Sequence, residues 1–279
     1  MRATMCGLCC AAALLTTTTS VQADHYEVFL VGGQSNCDGR GQAADLKGPL
    51  TKWAKPQEDV PIAYSCSTLR GAALNSGGFK PLQPGWSVAP GKNRPKELPS
   101  GTFGPELSFG RAMADHLKDK KVALIKYTEG GTSLAKDWNP EVKDRLYSAF
   151  LDFTKKSLKE LKDKGHTYTI RGMIWHQGES DASLSAEEYQ KLLTAFIARV
   201  RTDLELPDLP FGIGEVYDNG KRDTIRTAQK ATAEKVKGAF FVPADKLKTS
   251  DMGTHFDAAS QIELGERFAI GMAKTIGAR

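Results

Sequence analysis

The chain has little cysteine, little histidine and no long hydrophobic run, and each shortage removes a class of protein. Of its five cysteines, three fall within the first ten residues, leaving only Cys37 and Cys66. Two cysteines cannot staple a small disulfide scaffold. Downstream of the first ten residues there is no CxxC or HExxH string, and the five histidines are scattered. A structural zinc site therefore has no ligand set, and no metal or other cofactor is expected. No segment reaches the roughly 20 apolar residues of a membrane-spanning helix, so no membrane anchor is expected. Lys plus Arg exceeds Asp plus Glu by only five, and the basic residues form no stripe interleaved with aromatics, which argues against nucleic acid. What remains is a 279-residue chain, 40% hydrophobic and 25% charged, well able to bury a core.

The N-terminus reads as an address. Arg2 is followed by an apolar run from Met5 to Leu15, a Thr-rich stretch, and Val21-Gln22-Ala23, with small residues where a signal peptidase reads. A secretory signal over 1–23, cleaved after Ala23, is expected, and with it a secreted or periplasmic location. Residues 24–279 are expected to form one domain. An oxidising compartment permits a Cys37–Cys66 disulfide, although two buried free thiols fit equally well. The sequence does not indicate an oligomeric state.

Short apolar runs at Tyr26–Val31, Val122–Tyr127, Ile170–Trp175, Phe211–Val216 and Ala239–Val242 read as strands. Helical patterns separate them at Pro105–Lys118, Pro140–Lys164, Ser185–Leu204, Lys221–Lys237 and Ala258–Ile276. This alternation predicts an α/β fold with a five-stranded parallel sheet covered on both faces. Ligands of such folds sit at the carboxyl ends of the strands. One stretch breaks the pattern: Pro49 to Pro105 holds nine of the thirteen prolines, with Trp53 and Trp86. It reads as a loop insertion, at about 44–104, that walls the active-site face, or else as structural padding remote from it.

Chemistry concentrates at the strand ends. The first strand closes on Gly32-Gly33-Gln34-Ser35-Asn36, where Ser35 is either a nucleophile at the sheet rim or a helix N-cap after a glycine turn. A serine nucleophile needs a base. His255, in the loop before the last helix with Asp251 nearby, is the first candidate, and His176 its competitor. Gln177 could donate its amide to an oxyanion, and the Glu129-Gly130-Gly131-Thr132-Ser133 turn offers backbone N–H groups for the same task.

Together, Gly33-Gln34-Ser35-Asn36 with Gly39-Arg40-Gly41, Phe103-Gly104-Pro105-Glu106-Leu107, Gly130-Gly131-Thr132-Ser133, Trp175-His176-Gln177-Gly178-Glu179-Ser180-Asp181 and Thr254-His255-Phe256-Asp257 resemble the successive blocks of the SGNH hydrolases. The nearest branch is the sialate O-acetylesterase-like group that includes carbohydrate esterase family 6 acetylxylan esterases. The resemblance implies a flavodoxin-like, three-layer α/β/α sandwich that removes acetyl groups from oligo- or polysaccharides without a metal. It implies Ser35 as nucleophile and His255 as base, with the N–H groups of Ser35 and Gly131 and the Gln177 side chain as oxyanion hole. The family's acid stands three residues before the histidine, where this chain has Met252; Asp251, four before, is taken as the acid, the alternative being a Ser-His dyad. Trp86, Glu179 and Arg40 are the expected substrate contacts.

Three other classes compete with this reading. The α/β hydrolases need Gly-x-Ser-x-Gly, and the strings beginning at Gly131 and Gly178 both fail at the last position. A catalytically degenerate carbohydrate-binding protein of the same fold would use Trp53, Trp86 and Trp138 as sugar-stacking platforms. Phosphate binding at Gly32-Gly33 lacks both the Walker and the Rossmann spacing.

Overall fold

The computed structural model describes residues 23–69, 71–89, 94–251 and 253–277. The expected signal segment, Ala23 apart, and Met252 lie outside these residues. The run His25–Gly33 forms β1, the middle strand of a seven-stranded sheet. Around it lie β3 (Gln57–Cys66), β4 (Lys80–Leu82), β6 (Lys121–Thr128), β7 (Thr167–His176), β8 (Phe211–Gly214) and β9 (Ala239–Val242), in the order β4-β3-β6-β1-β7-β8-β9. All neighbours run parallel except β4, which is antiparallel to β3. A separate pair joins β2 (Gly41–Gln42) to β5 (Thr102–Phe103).

The five expected strands are all present and adjacent, but the sheet is two strands wider than five. Both extra strands come from the proline-rich stretch. They escape a reading of hydrophobic pattern because β3 opens on Gln57-Glu58-Asp59 and carries Pro61, and β4 carries Pro81. These two prolines face each other next to a register shift. Neither has an N–H to contribute, and the edge of a sheet is where that loss is tolerated.

Alternation along β1 builds two cores. Phe29 and Val31 join Leu107, Phe109 and Met113 of α2 (Glu106–Leu117) and Phe268 and Met272 of α6 (Ala258–Gly277) on one face. Val28 and Leu30 join Phe150 of α3 (Leu146–Asp163), Leu193 and Phe196 of α4 (Ala186–Asp203), and Ile225 of α5 (Asp223–Lys235) on the other. The architecture is thus the α/β/α sandwich. Ser185 starts α4 with a reciprocal capping box to Glu188. The α3 helix begins at Leu146 rather than Pro140, because Asn139 Oδ1 caps a separate turn at Glu141 N and Asp144 takes a left-handed φ of 54°.

One charge lies wholly inside. Lys126, on β6, is fully buried, and its ammonium donates to the carbonyls of Asp38 (2.6 Å) and Trp86 (2.7 Å) and pairs with the buried Glu106 carboxylate at 2.8 Å. Burial pushes the Glu106 carboxyl above its usual range, against the pull of the ammonium. Removing one partner of such a pair strands the other. Lys126→Met is therefore expected to lower unfolding free energy by about 3–5 kcal/mol. Urea unfolding checks this, and adding Glu106→Gln to Lys126→Met should return part of the loss.

Candidate active site

The placement of Ser35 begins with a glycine. Gly33 closes β1 at φ 141°, and a Cβ there would lie 2.1 Å from the carbonyl oxygen of His176 at the end of β7. Only glycine allows that approach. Gln34 N then donates to the same oxygen at 3.0 Å, and the chain turns into the one-turn helix α1 (Ser35–Asp38). Gln34 holds the N-cap position with no side-chain cap bond. Ser35 is therefore no cap, and its hydroxyl is left for another partner.

Below the turn, the buried Asp38 carboxylate accepts from Arg40 (2.6 Å), Tyr64 (2.7 Å), Thr128 (2.7 Å) and the Val88 N–H (3.0 Å). Burial raises its pKa, but the nearby Arg40 and Lys126 charges outweigh that and hold the carboxyl below the usual aspartate range.

The loop between β9 and α6 supplies the partner. His255 Nε2 lies 3.1 Å from Ser35 Oγ, and His255 Nδ1 lies 2.6 Å from Asp251 Oδ2. A carboxylate only accepts, so Nδ1 carries the proton and Nε2 is free to accept from the serine hydroxyl. The other Asp251 oxygen takes the N–H groups of Thr254 (2.8 Å) and His255 (2.9 Å). This closed turn is what lets an acid four residues before the histidine reach it. Partial burial raises the Asp251 pKa, but the two N–H donors and the facing imidazole together hold the carboxyl below its ordinary value.

His176, the competitor, is fully buried. Its Nε2 lies 2.9 Å from the Glu215 carbonyl, its ring packs edge-on to Phe256, and burial lowers its pKa. It is a neutral core histidine.

The oxyanion candidates divide. Gly131, at φ 70°, is the exposed residue of an otherwise buried turn after β6, which Glu129 N ties to Gly33 O at 3.2 Å. Gln177 is fully buried, and its amide hydrogens face Asp181 Oδ2, the Thr132 carbonyl (3.1 Å) and Gln34 Oε1 (3.2 Å). Its donors are spent inside the protein. Gln34 Oε1 also faces the N–H groups of Gly178 (3.3 Å) and Ser180 (3.4 Å). These backbone donors fix which end of the Gln34 amide is oxygen.

The expected substrate contacts move elsewhere. Trp86 is 4% exposed and donates its indole N–H to the Pro81 carbonyl at 3.0 Å, so it anchors the proline-rich stretch and offers no open face to a sugar. Trp53 and Trp138 are buried as well. Large apolar side chains in this stretch serve to fasten it down. Arg40 is buried against Asp38, under the Ser35 turn. The Glu179 side chain is 3% exposed and accepts from Asn36 Nδ2 at 2.6 Å. Cys37 and Cys66 are free buried thiols, which settles the choice between thiols and disulfide. Asn36, Asp38 and Lys126 shape the site although nothing in their sequence setting singled them out; Asn36 lay in view within the first block.

The model of the family described as "Carbohydrate esterase, sialic acid-specific acetylesterase" matches residues 25–274. Among solved structures, a protein from Arabidopsis thaliana is similar at a TM-score of 0.68 and 23% identity, over 91% of this chain and 99% of that one. A carbohydrate acetylesterase from Xanthomonas citri is similar at a TM-score of 0.62 and 19% identity, over 91% of this chain and 57% of that one. No curated protein matches the chain.

The depressed Asp38 carboxyl makes stability depend on pH in a defined sense. Its contribution is complete above the ordinary aspartate value of about 3.9 and is lost as pH falls through the lower folded value. Asp38→Asn should be less stable at neutral pH, and its stability should fall less steeply than wild type below about pH 4. Thermal unfolding across pH 2 to 7 measures the difference.

Proposed function

The chain belongs to the family of carbohydrate esterases described as sialic acid-specific acetylesterases, a carboxylic ester hydrolase by membership, and from that premise we propose that it removes O-acetyl groups from saccharides through Ser35, His255 and Asp251. The observation that carries this reading is the unbroken chain Ser35 Oγ to His255 Nε2 (3.1 Å) and His255 Nδ1 to Asp251 Oδ2 (2.6 Å). Ser35 Oγ attacks the acetyl carbonyl carbon while its proton passes to His255 Nε2, and Asp251 stabilises the imidazolium that forms. The oxyanion is received by the N–H groups of Ser35 and Gly131. Gln177 acts at one remove, holding Gln34 and the Thr132 carbonyl in place. Collapse expels the sugar oxygen, which takes the proton from His255, and leaves an acetyl-Ser35 ester. Water, giving its proton to His255 Nε2, then attacks the acetyl carbonyl, and the Oγ–acyl bond breaks as Ser35 Oγ takes that proton back, releasing acetate.

With the tryptophans buried, the sugar needs another bed. A groove of about 390 Å³, lined by Ser67, Thr68, Tyr127, Arg145 and Asp152, lies at the carboxyl ends of β3 and β6, the end that also carries Ser35. Its mixed charges and hydroxyls suit a saccharide chain. Export fits this reading, since acetylated polysaccharides lie outside the cell. Binding without catalysis finds no support here, because its three tryptophan platforms are all closed.

Acetate release from acetylated xylo-oligosaccharides and from a small aryl acetate, with a chelator present, tests the mechanism. Ser35→Ala should abolish both, and equal rates in Ser35→Ala and wild type would remove the nucleophile. Asp251→Asn should lower turnover by up to about 10⁴; a few-fold loss would leave a Ser-His dyad. Arg145→Ala should raise KM for the oligosaccharide and leave the aryl acetate unaffected, and an equal change on both substrates would discard the groove.

A further inference from the structure

Asn36 follows the nucleophile and is fully buried. Its Nδ2 donates to the Thr254 carbonyl at 2.8 Å and to Glu179 Oε1 at 2.6 Å, and its Oδ1 accepts the Phe256 N–H at 3.0 Å. A carbonyl and a carboxylate only accept, and a backbone N–H only donates, so the amide has one permitted orientation. The two loop contacts fall on the residues immediately before and after His255.

We propose that Asn36 is a positioning residue that sets the distance between Ser35 and His255, with Glu179 locking the Asn36 amide. The proposal rests on the serine-histidine reading above. Arg222 also braces the loop, at Gly253 O (3.2 Å) and Thr254 Oγ1 (3.3 Å), but from the start of α5. Asp251 acts within the loop itself. Among the described residues, only Asn36 joins this loop to the nucleophile's helix by hydrogen bonds other than the Ser35–His255 bond. Glu179 strengthens the case. It places a carboxylate in the interior, its side chain 3% exposed and 3.8 Å from the buried His176 Nδ1, a desolvation cost that a mere loop fastening does not require. A charged acceptor makes a shorter and firmer bond than a neutral one, which is what an amide that must not swing needs. Displacement of a catalytic group by about 1 Å can cost 10²-fold in rate.

The test is a double-mutant cycle on turnover of a small aryl acetate, which needs Ser35 and His255 but no sugar contacts. Asn36→Ala should lower kcat by about 10² with KM changed less than about two-fold. In a His255→Ala background the same substitution should change kcat by less than about three-fold, because there is no imidazole left to misplace. An equal fold-loss in both backgrounds would overturn the proposal and leave Asn36 a structural residue. Glu179→Ala, run through the same cycle, carries the test if Asn36→Ala does not fold. Glu179→Gln keeps an acceptor oxygen and should recover at least about ten-fold of what Glu179→Ala loses; no recovery would remove Glu179 from the assignment. Full activity in His255→Ala alone would instead overturn the serine-histidine reading, a failure separable from that of Asn36.

Discussion

The Lys126 ammonium, closed off from water beneath the Ser35 turn, is the interaction on which the site is built. A four-residue helix cannot hold itself together, since nucleating one turn fixes several dihedrals for a single hydrogen bond. The α1 turn persists because its last residue is gripped twice. Lys126 takes the Asp38 carbonyl from below, and Tyr64, Thr128, Val88 and Arg40 surround the Asp38 carboxylate. The same ammonium reaches Trp86 O in the proline-rich stretch and Glu106 at the head of α2. Three separate parts of the chain thus converge on one charge, and the serine they support sits at the other end of the turn.

Above that floor, the relation between Ser35 and His255 depends on a loop rather than on a strand or helix, and loops are the softer part of most folds. The loop is stiffened from three directions: by Asp251 capping its own backbone, by Arg222 from α5, and by Asn36 from α1. The Asp251 side chain is 40% exposed and that of His255 32%, so solvent screens the attraction between them. Under the proposed mechanism the aspartate therefore contributes more through tautomer and orientation than through raw charge. It keeps the proton on Nδ1 and aims Nε2 at the serine.

Much of this was legible in the sequence, for physical reasons that can be named. Four of the five expected strands, β1, β6, β7 and β8, carry runs of buried residues, so their apolar stretches are continuous and easily seen. Ser35 and His255 stand at a strand end and in the loop before the last helix, where topology brings them to one rim. The edge strand β4 and its neighbour β3 were hidden because facing prolines broke the pattern that marks a strand. The Gln177 donors read as available because nothing in the sequence shows that Asp181 and the Thr132 carbonyl consume them. Trp86 read as a sugar platform because an indole in a proline-rich stretch looks exposed until the stretch is seen folded over the flank of the sheet. Asn36 was visible but uninterpretable, since its partners lie 143 and 218 residues away along the chain.

The division of labour that results bears on specificity. The segments at 33–41, 129–132, 177–181 and 253–256 are joined by hydrogen bonds to one another and to the sheet, so a change in one disturbs the others. The proposed saccharide groove draws instead on 65–69 and 144–153, and it touches the first set chiefly through Ser67, whose N–H and hydroxyl both meet Glu129 Oε2. Under the proposed function, substitutions in the groove can therefore alter which sugar is held without moving Ser35 or His255. The structural neighbours share this fold at about a fifth of identical residues. Under the proposed function, a scaffold that confines the bonds around Ser35 and His255 to a few interlocked turns leaves the outer wall free to vary, and sugar selectivity then tracks the wall and the groove rather than the proposed triad.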